Sequence, residues 1–331
     1  MTRKVLVTGG AGYVGAVLVP QLLGRGYAVR VLDLYIYGEN VLDSVRDHKD
    51  LEQVKGDLRD MRVVREAVRG CDSVIHLACI SNDPSFDLNP QLGRSINYDA
   101  FEPLVQASKQ EGVNRFVYAS SSSVYGVKEL ENVDEETPLE PLTDYSKFKA
   151  MCEEQLIAHR SRDFVTTIVR PATVCGYSPR QRLDVIVNIL TNQAVRTGRI
   201  RLLGGDQKRP NIHIQDMVDV YLMLMERPRE RIDGGVYNVG CENHTVRQLG
   251  ELVRTVVGRE KVAVDVVPTN DNRSYHISSE RIARELGFRT RYTISDAVGE
   301  LALALTDGRL VDSLNNSRYF NIKRMQEVHL I

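Results

Sequence analysis

Apolar residues recur in short, nearly unbroken runs through the first half of the chain. Lys4–Val7, Ala28–Leu32, Ser73–Leu77, Arg115–Ala119 and Val165–Val169 have the length and β-branched content of buried strands, and Gln53–Lys55 is a shorter one. Between them the apolar spacing becomes helical. In Tyr13–Arg25, Val14, Val17, Leu18 and Leu22 fall on one face, and Met61–Val68, Asn97–Glu111 and Tyr145–His159 also read as helices. Strand and helix in alternation predict an α/β protein built on a doubly wound parallel sheet covered on both faces. In such a sheet, ligands bind beyond the carboxyl ends of the strands.

After Pro171 the pattern loosens. The stretch Ser178-Pro-Arg-Gln-Arg leads to a predicted helix from Leu183 to about Gly198. A turn at Gly204-Gly-Asp206, a short strand near Ile212, a helix after Asp216 and a strand at Val236–Val239 follow. We therefore expect residues 1–170 to form one domain. Residues 171–331 should form mainly a smaller substrate lobe, interleaved with late strands and helices of the first domain. Asp216 reads as the N-cap of its helix, and Tyr125 as packing over the substrate loop.

Composition narrows the class. With 42% apolar residues and a formal net charge of −1, the chain is not expected to bind nucleic acid or another polyanion. No apolar run approaches the roughly 18–20 residues that span a bilayer, so no membrane partner is expected. A strand starting at Lys4 leaves no room for a signal peptide. The five cysteines are odd in number and lack metal-ligand spacing. They read as reduced packing residues of a cytoplasmic protein, with no metal site. Cys175 in particular reads as packing rather than as a nucleophile.

Chemistry enters with Val5-Leu-Val-Thr-Gly-Gly-Ala-Gly-Tyr-Val-Gly. Gly9 permits the sharp turn after the strand, Gly12 lets backbone approach a diphosphate, and Gly15 lets the helix pack closely. The helix start, with Tyr13 and Val14, offers unpaired N–H groups to the anion. Asp33 ends the second strand, where its carboxylate can accept from both adenosine ribose hydroxyls. A 2′-phosphate would meet that negative charge, so the Rossmann-type fingerprint predicts NAD. Asp57 and Leu58 either lie against the adenine or cap the helix beginning near Asp60. Leu77 and Ala78 follow the diphosphate path, and His76 beside them reads as a satisfied strand histidine.

At the other end of the dinucleotide lie Ser121, Tyr145 and Lys149. A tyrosine titrates near 10, too high for acid/base work until its phenolate is stabilised. Lys149, four residues on, sits one helical turn away on the same face, whereas Lys147 points elsewhere. Lys149 can also hold the nicotinamide ribose. Ser121 can orient a sugar or carbonyl oxygen while Tyr145 takes the hydroxyl proton.

These stretches resemble the extended short-chain dehydrogenases/reductases of the nucleotide-sugar epimerase/dehydratase family. The resemblance runs through Thr8–Gly15, Gly56-Asp-Leu58, Ser120-Ser-Ser-Ser-Val-Tyr-Gly126, Tyr145-Ser-Lys-Phe-Lys149, the segment 204–216, Tyr237-Asn-Val-Gly240 and Leu286-Gly-Phe288. It implies NAD and a nucleotide-diphosphate sugar as substrate. It also implies Arg209 and Arg273 as grips for the sugar-nucleotide diphosphate. Thr173 stands where many members carry Asn. The loop with Arg180 and Asn188 is similar to a branch that includes heptose-nucleotide 4-oxidoreductases, and both residues are expected at the substrate. Family dehydratases place an Asp-Glu pair after the catalytic Ser/Thr, and here Ser122 and Ser123 stand there. A 4-epimerase and a C4 dehydrogenase or 4-ketoreductase need the same residues, so both stay open. A non-catalytic NAD(H)-binding regulator is a further alternative. Family members dimerise through two helices, here Asn97–Glu111 and Tyr145–His159.

Overall fold

The structure, a computed structural model, describes residues 3–128, 130, 132–269, 274 and 276–330. In chain order its strands are β1 (Lys4–Thr8), β2 (Ala28–Asp33), β3 (Leu51–Lys55), β4 (Ser73–His76), β5 (Arg115–Ala119), β6 (Val165–Pro171), β7 (Thr173–Cys175), β8 (Arg199–Leu203), β9 (Lys208–His213), β10 (Gly235–Val239), β11 (Glu242–Thr245) and β12 (Ala263–Val267). Seven of them form one parallel sheet in the order β3-β2-β1-β4-β5-β6-β10.

The pleat sends neighbouring residues to opposite faces. Val5, Val7, Val29, Val31, Ile75 and Val117 pack on one face with Leu18 and Leu22 of the helix Gly15–Gly24 and Val218 and Leu222 of the helix Ile214–Glu226. Leu6, Val74, Phe116 and Tyr118 pack on the other, against Val64, Leu104, Cys152 and Leu156 of the helices Met61–Val68, Phe101–Gln110 and Asp144–His159. Burial on both faces is why these strands read as unbroken apolar runs. The order reverses between β1 and β4, opening a crevice at their carboxyl ends.

The chain leaves this sheet at Pro171 and enters β7 at Thr173. A three-stranded sheet (β11-β9-β7) and a pair (β12-β8) carry the second lobe. Its core is formed by Val187, Leu190, Leu249, Val253, Ala297 and Val298 from three helices, Ile186–Thr197, Val246–Val257 and Ile294–Thr306. β10 then returns to pair with β6 in the large sheet, Val236 against Ile168. No helix among the described residues is long and apolar enough to cross a membrane.

Three local expectations change. The helix expected over Asn97–Glu111 is interrupted, with a single wide turn at Ser95–Asp99 preceding the helix Phe101–Gln110. Buried Asn97 pairs its amide with both backbone groups of Ile80 (2.8 and 2.9 Å), a tertiary demand that overrides helical regularity. The helix expected from Leu183 starts at Ile186, because the Leu183 N–H is held by Tyr319 O (2.8 Å). Asp216 is not an N-cap. His213 Nδ1 caps the helix by accepting from Gln215 N (3.0 Å), while the Asp216 carboxylate accepts from Arg291 N and Tyr292 N (2.9 and 3.1 Å).

Candidate active site

A cavity of about 330 Å³ lies over the carboxyl ends of the central strands, between the two lobes. Gly9, at φ +73°, meets Ala78: a Cβ there would sit 2.6 Å from Ala78 N. A Cβ on Gly15 would lie 2.5 Å from Gly10 O, so neither position accepts a side chain. The turn thus delivers the start of the helix Gly15–Gly24 to the cavity. That helix has no acidic residue in its first turn to compete with an anion. Gly12, Tyr13 and Val14 line the cavity beside it, as do Leu58, Leu77 and Ala78.

Asp33 ends β2 with its carboxylate accepting from Ala11 N (3.0 Å) and Tyr35 N (2.8 Å). Burial pushes its pKa up, and those N–H groups oppose the rise. An ionised carboxylate has about four acceptor positions, so with Ala11, Tyr35 and Leu34 as backbone donors it keeps room for a hydroxyl donor. Asp57 lines the cavity, bonded to Arg59 N (2.8 Å) and ion-paired with Arg59 (2.6 Å), which holds its carboxyl low. The helix cap is Asp60, accepting from Arg62 N at 2.9 Å. The cradle fits a dinucleotide. Glycines stand where a Cβ would collide, and a carboxylate with room for a hydroxyl donor stands at the ribose end.

At the other end Thr143 begins the helix Asp144–His159 with a reciprocal cap to Ser146, placing Tyr145 in the first turn. Lys149 Nζ donates to Ala119 O (2.6 Å) and lies 4.9 Å from the Tyr118 ring centre and 5.9 Å from that of Tyr145. Lys147 instead reaches Asp144 at the surface (3.3 Å). Ser121 Oγ lies 2.8 Å from Ser123 Oγ, and Ser121 and Tyr145 both line the cavity. Burial pushes the Tyr145 pKa well up. Cys79 and Asp83 add to the rise, while the Arg182 charge and Ser121 oppose it.

Cys79, Asp83 and Arg182 line the cavity and were not found from the sequence. They arrive on loops after β4 and β7, with no local motif. Asp83 accepts from Thr143 Oγ1. Arg182 Nε donates to Asp184 (2.6 Å), and its buried Nη2 has no hydrogen-bond partner among the described residues.

Beneath Ser121 lies a buried ion pair. Arg170 Nη2 reaches Glu153 at 2.6 Å, and Glu153 also accepts from Ser120 Oγ. Arg170 Nη1 donates to Tyr125 Oη (2.7 Å), which donates to Asn238 (2.8 Å). Tyr125 is therefore an internal strut and does not cover a substrate loop, because a buried phenol takes its partners from the interior. His76 is likewise internal, Nδ1 at 2.7 Å from Thr8 Oγ1 and its ring against Phe101 and Tyr118.

Burial pushes the His76 pKa down to about 3. The folded value lies below the ordinary 6.5, so as pH falls the unfolded chain binds the proton first. Stability is lost between pH 6.5 and 3, about 2 kcal/mol of it by pH 5. Urea titrations at pH 7 and 5 should show that loss in the wild type and a smaller one in His76→Gln. Equal losses in both proteins would remove His76 as the cause.

The residues expected at the substrate separate. Thr173 lines the cavity. Asn188 is consumed internally, accepting from Gly176 N (3.0 Å) and donating to Tyr13 Oη (3.0 Å) and Arg182 O (2.8 Å). Arg209, on β9, donates to Lys208 O (3.0 Å) and is not among the residues lining the cavity. Arg273 lies outside the described residues. Arg180 is buried near the Asp33 end, against Tyr37 and Asn321. Cys175 is packed, its thiol donating to Ile212 O (3.4 Å) and pushed up by burial.

The fold and this site define an NAD-dependent enzyme of the short-chain dehydrogenase/reductase type. Residues 5–240 match the NAD dependent epimerase/dehydratase family, and the chain belongs to it. The uncharacterized protein y4nG of Sinorhizobium fredii is 34% identical over 261 residues, 76% of this chain and 60% of that protein. A dTDP-glucose 4,6-dehydratase of Streptomyces griseus is 30% identical over 309 residues, 90% of this chain and 92% of the relative. A UDP-glucose 4-epimerase of Lactobacillus helveticus is 28% identical over 275 residues, 77% and 82% of the two chains. Among solved structures, the dTDP-glucose 4,6-dehydratase DesIV of Streptomyces venezuelae, crystallised with NAD, superposes with a TM-score of 0.84 at 25% identity. The match covers 94% of this chain and all of that one.

Proposed function

We propose that this chain is a nucleotide-sugar 4-epimerase. It oxidises C4 of a nucleotide-diphosphate hexose or heptose, lets the 4-keto sugar turn, and reduces it from the opposite face. The observation that carries this reading is the convergence of Ser121, Tyr145 and Lys149 at one end of the cavity, with Ser122 and Ser123 beside them. Bound NAD would accept hydride from C4 and return it. Tyr145 Oη takes the C4 hydroxyl proton and gives it back, and Ser121 Oγ holds the oxygen in place. Serines at 122 and 123 supply no acid for a leaving hydroxyl.

Asp83 favours a second reading, 4,6-dehydration, because it places a carboxylate at the reacting end, and two of the proteins compared above are named for that reaction. Purified protein given UDP- and dTDP-sugars without added cofactor should invert C4 with no net reduced cofactor. A 4-keto-6-deoxy product would establish dehydration. Turnover that needs added NAD(H), or that accumulates a keto sugar with reduced cofactor, would establish a C4 oxidoreductase. We further propose a homodimer through the helices Phe101–Gln110 and Asp144–His159, the second of which exposes Met151 (38%) and Ile157 (47%).

A further inference from the structure

We infer that Arg180 grips the diphosphate of the dinucleotide cofactor, so that the second lobe supplies a cationic roof to the Rossmann cradle. The loop that carries it is pinned to the glycine-rich turn. Ser178 Oγ donates to Tyr13 O (2.7 Å), Tyr13 Oη donates to Gly176 O (2.6 Å), and Asn188 Nδ2 donates to Tyr13 Oη (3.0 Å). Tyr13 belongs to the turn that opens the helix Gly15–Gly24, where N–H groups suit an anion. Ser178, two residues before Arg180, is thereby held at that turn.

Arg180 is only 4% exposed and lines the cavity. Its guanidinium carbon stands 3.5 Å from the ring centre of Tyr37, and Nη2 donates to Asn321 Oδ1 at 2.6 Å. Asn321 also accepts from Tyr37 Oη (3.0 Å) and donates to Ser81 Oγ (3.0 Å). Three other segments therefore meet around one arginine: the loop after β2, the loop after β4 and the C-terminal helix Asn321–Glu327. Tyr37 follows Asp33 by four residues. This convergence lies at the Asp33 end of the cavity, whereas Arg182 is the arginine that faces Tyr145.

The chemistry of the position asks for an anion. Arg180 Nε is buried without a hydrogen-bond partner, and no ion pair to Arg180 is formed among the described residues. Asp33 and Asp184 act on it only at a distance, without an ion pair, and a buried cation left so is costly unless a bound anion completes it. Burial pushes the Arg180 pKa down, in keeping with an incomplete set of partners. The planar fork suits two phosphate oxygens. Both cofactor and substrate carry a diphosphate, and the position beside Tyr13, Tyr37 and Asp33 selects the cofactor's.

Titration calorimetry on nucleotide-free protein separates the two sources. Arg180→Met should weaken ADP-ribose and NAD by roughly 10- to 100-fold, as expected for a lost charge-assisted bond. Adenosine, which lacks the diphosphate, and UDP should stay within about twofold. Arg180→Lys, which keeps the charge and serves if the Met variant folds poorly, should fall between. An ADP-ribose affinity unchanged in both variants overturns the inference. So does a loss confined to UDP, or one shared equally by UDP and ADP-ribose. These readouts rest on the cofactor site alone, so failure of C4 inversion would leave them standing.

Discussion

Replacing Tyr145 with Phe should lower turnover about 100- to 10,000-fold while NAD affinity changes less than twofold. The substitution removes one oxygen and keeps the ring that meets Phe86 edge-on at 6.4 Å between centres. Lys149 keeps its bond to Ala119 O, so the cofactor side of the site is undisturbed. What disappears is the group proposed to carry the C4 hydroxyl proton. In the wild type, burial, Cys79 and Asp83 hold the phenol protonated, against Arg182 and Ser121. The oxidative half-reaction needs the phenolate, so its rate should climb with pH through the ionisation of Tyr145. Single-turnover rates across pH on both proteins check this. Turnover within tenfold of wild type in the Phe variant would assign the proton to another group.

The second large effect is on stability. Arg170→Met leaves the Glu153 carboxylate buried with Ser120 as its remaining partner, and should cost about 3–5 kcal/mol. The melting temperature should fall on the order of 5–10 °C. Arg170→Met combined with Glu153→Leu should cost less than the single change, because no isolated charge is left in the interior. The pair also braces Ser120, next to Ser121, so C4 turnover should fall in the single variant even where it stays folded. A loss below 1 kcal/mol in the single variant would show that water or a rearranged neighbour satisfies Glu153.

Much of the site was open to sequence reading because its parts are local. Gly9, Gly12 and Gly15 answer to one turn, Asp33 to the end of one strand, and Tyr145 with Lys149 to one helical turn. Such relations span a few residues and leave a fixed spacing. The residues around them came from elsewhere. Arg182, Asp83 and Cys79 converge on Tyr145 from loops whose spacing carries no signature, and Asn188 looked like a ligand until Tyr13 and Gly176 claimed its amide. Asp216 failed as a cap for a similar reason. Its carboxylate is bonded to backbone some 75 residues away in the chain.

The amino-acid sequence alone determined the doubly wound sheet and its glycine-rich turn, and put forward the Ser-Tyr-Lys set. Apolar periodicity, glycine conformation and one-turn helical spacing are short-range physics. Only the tertiary structure decided which arginine faces which end of the cavity, and that the C-terminal helix and the loop after β7 roof the cradle. Those placements depend on where two lobes pack and which buried polar groups find partners, and contacts between residues 140 and more positions apart leave no pattern along the chain.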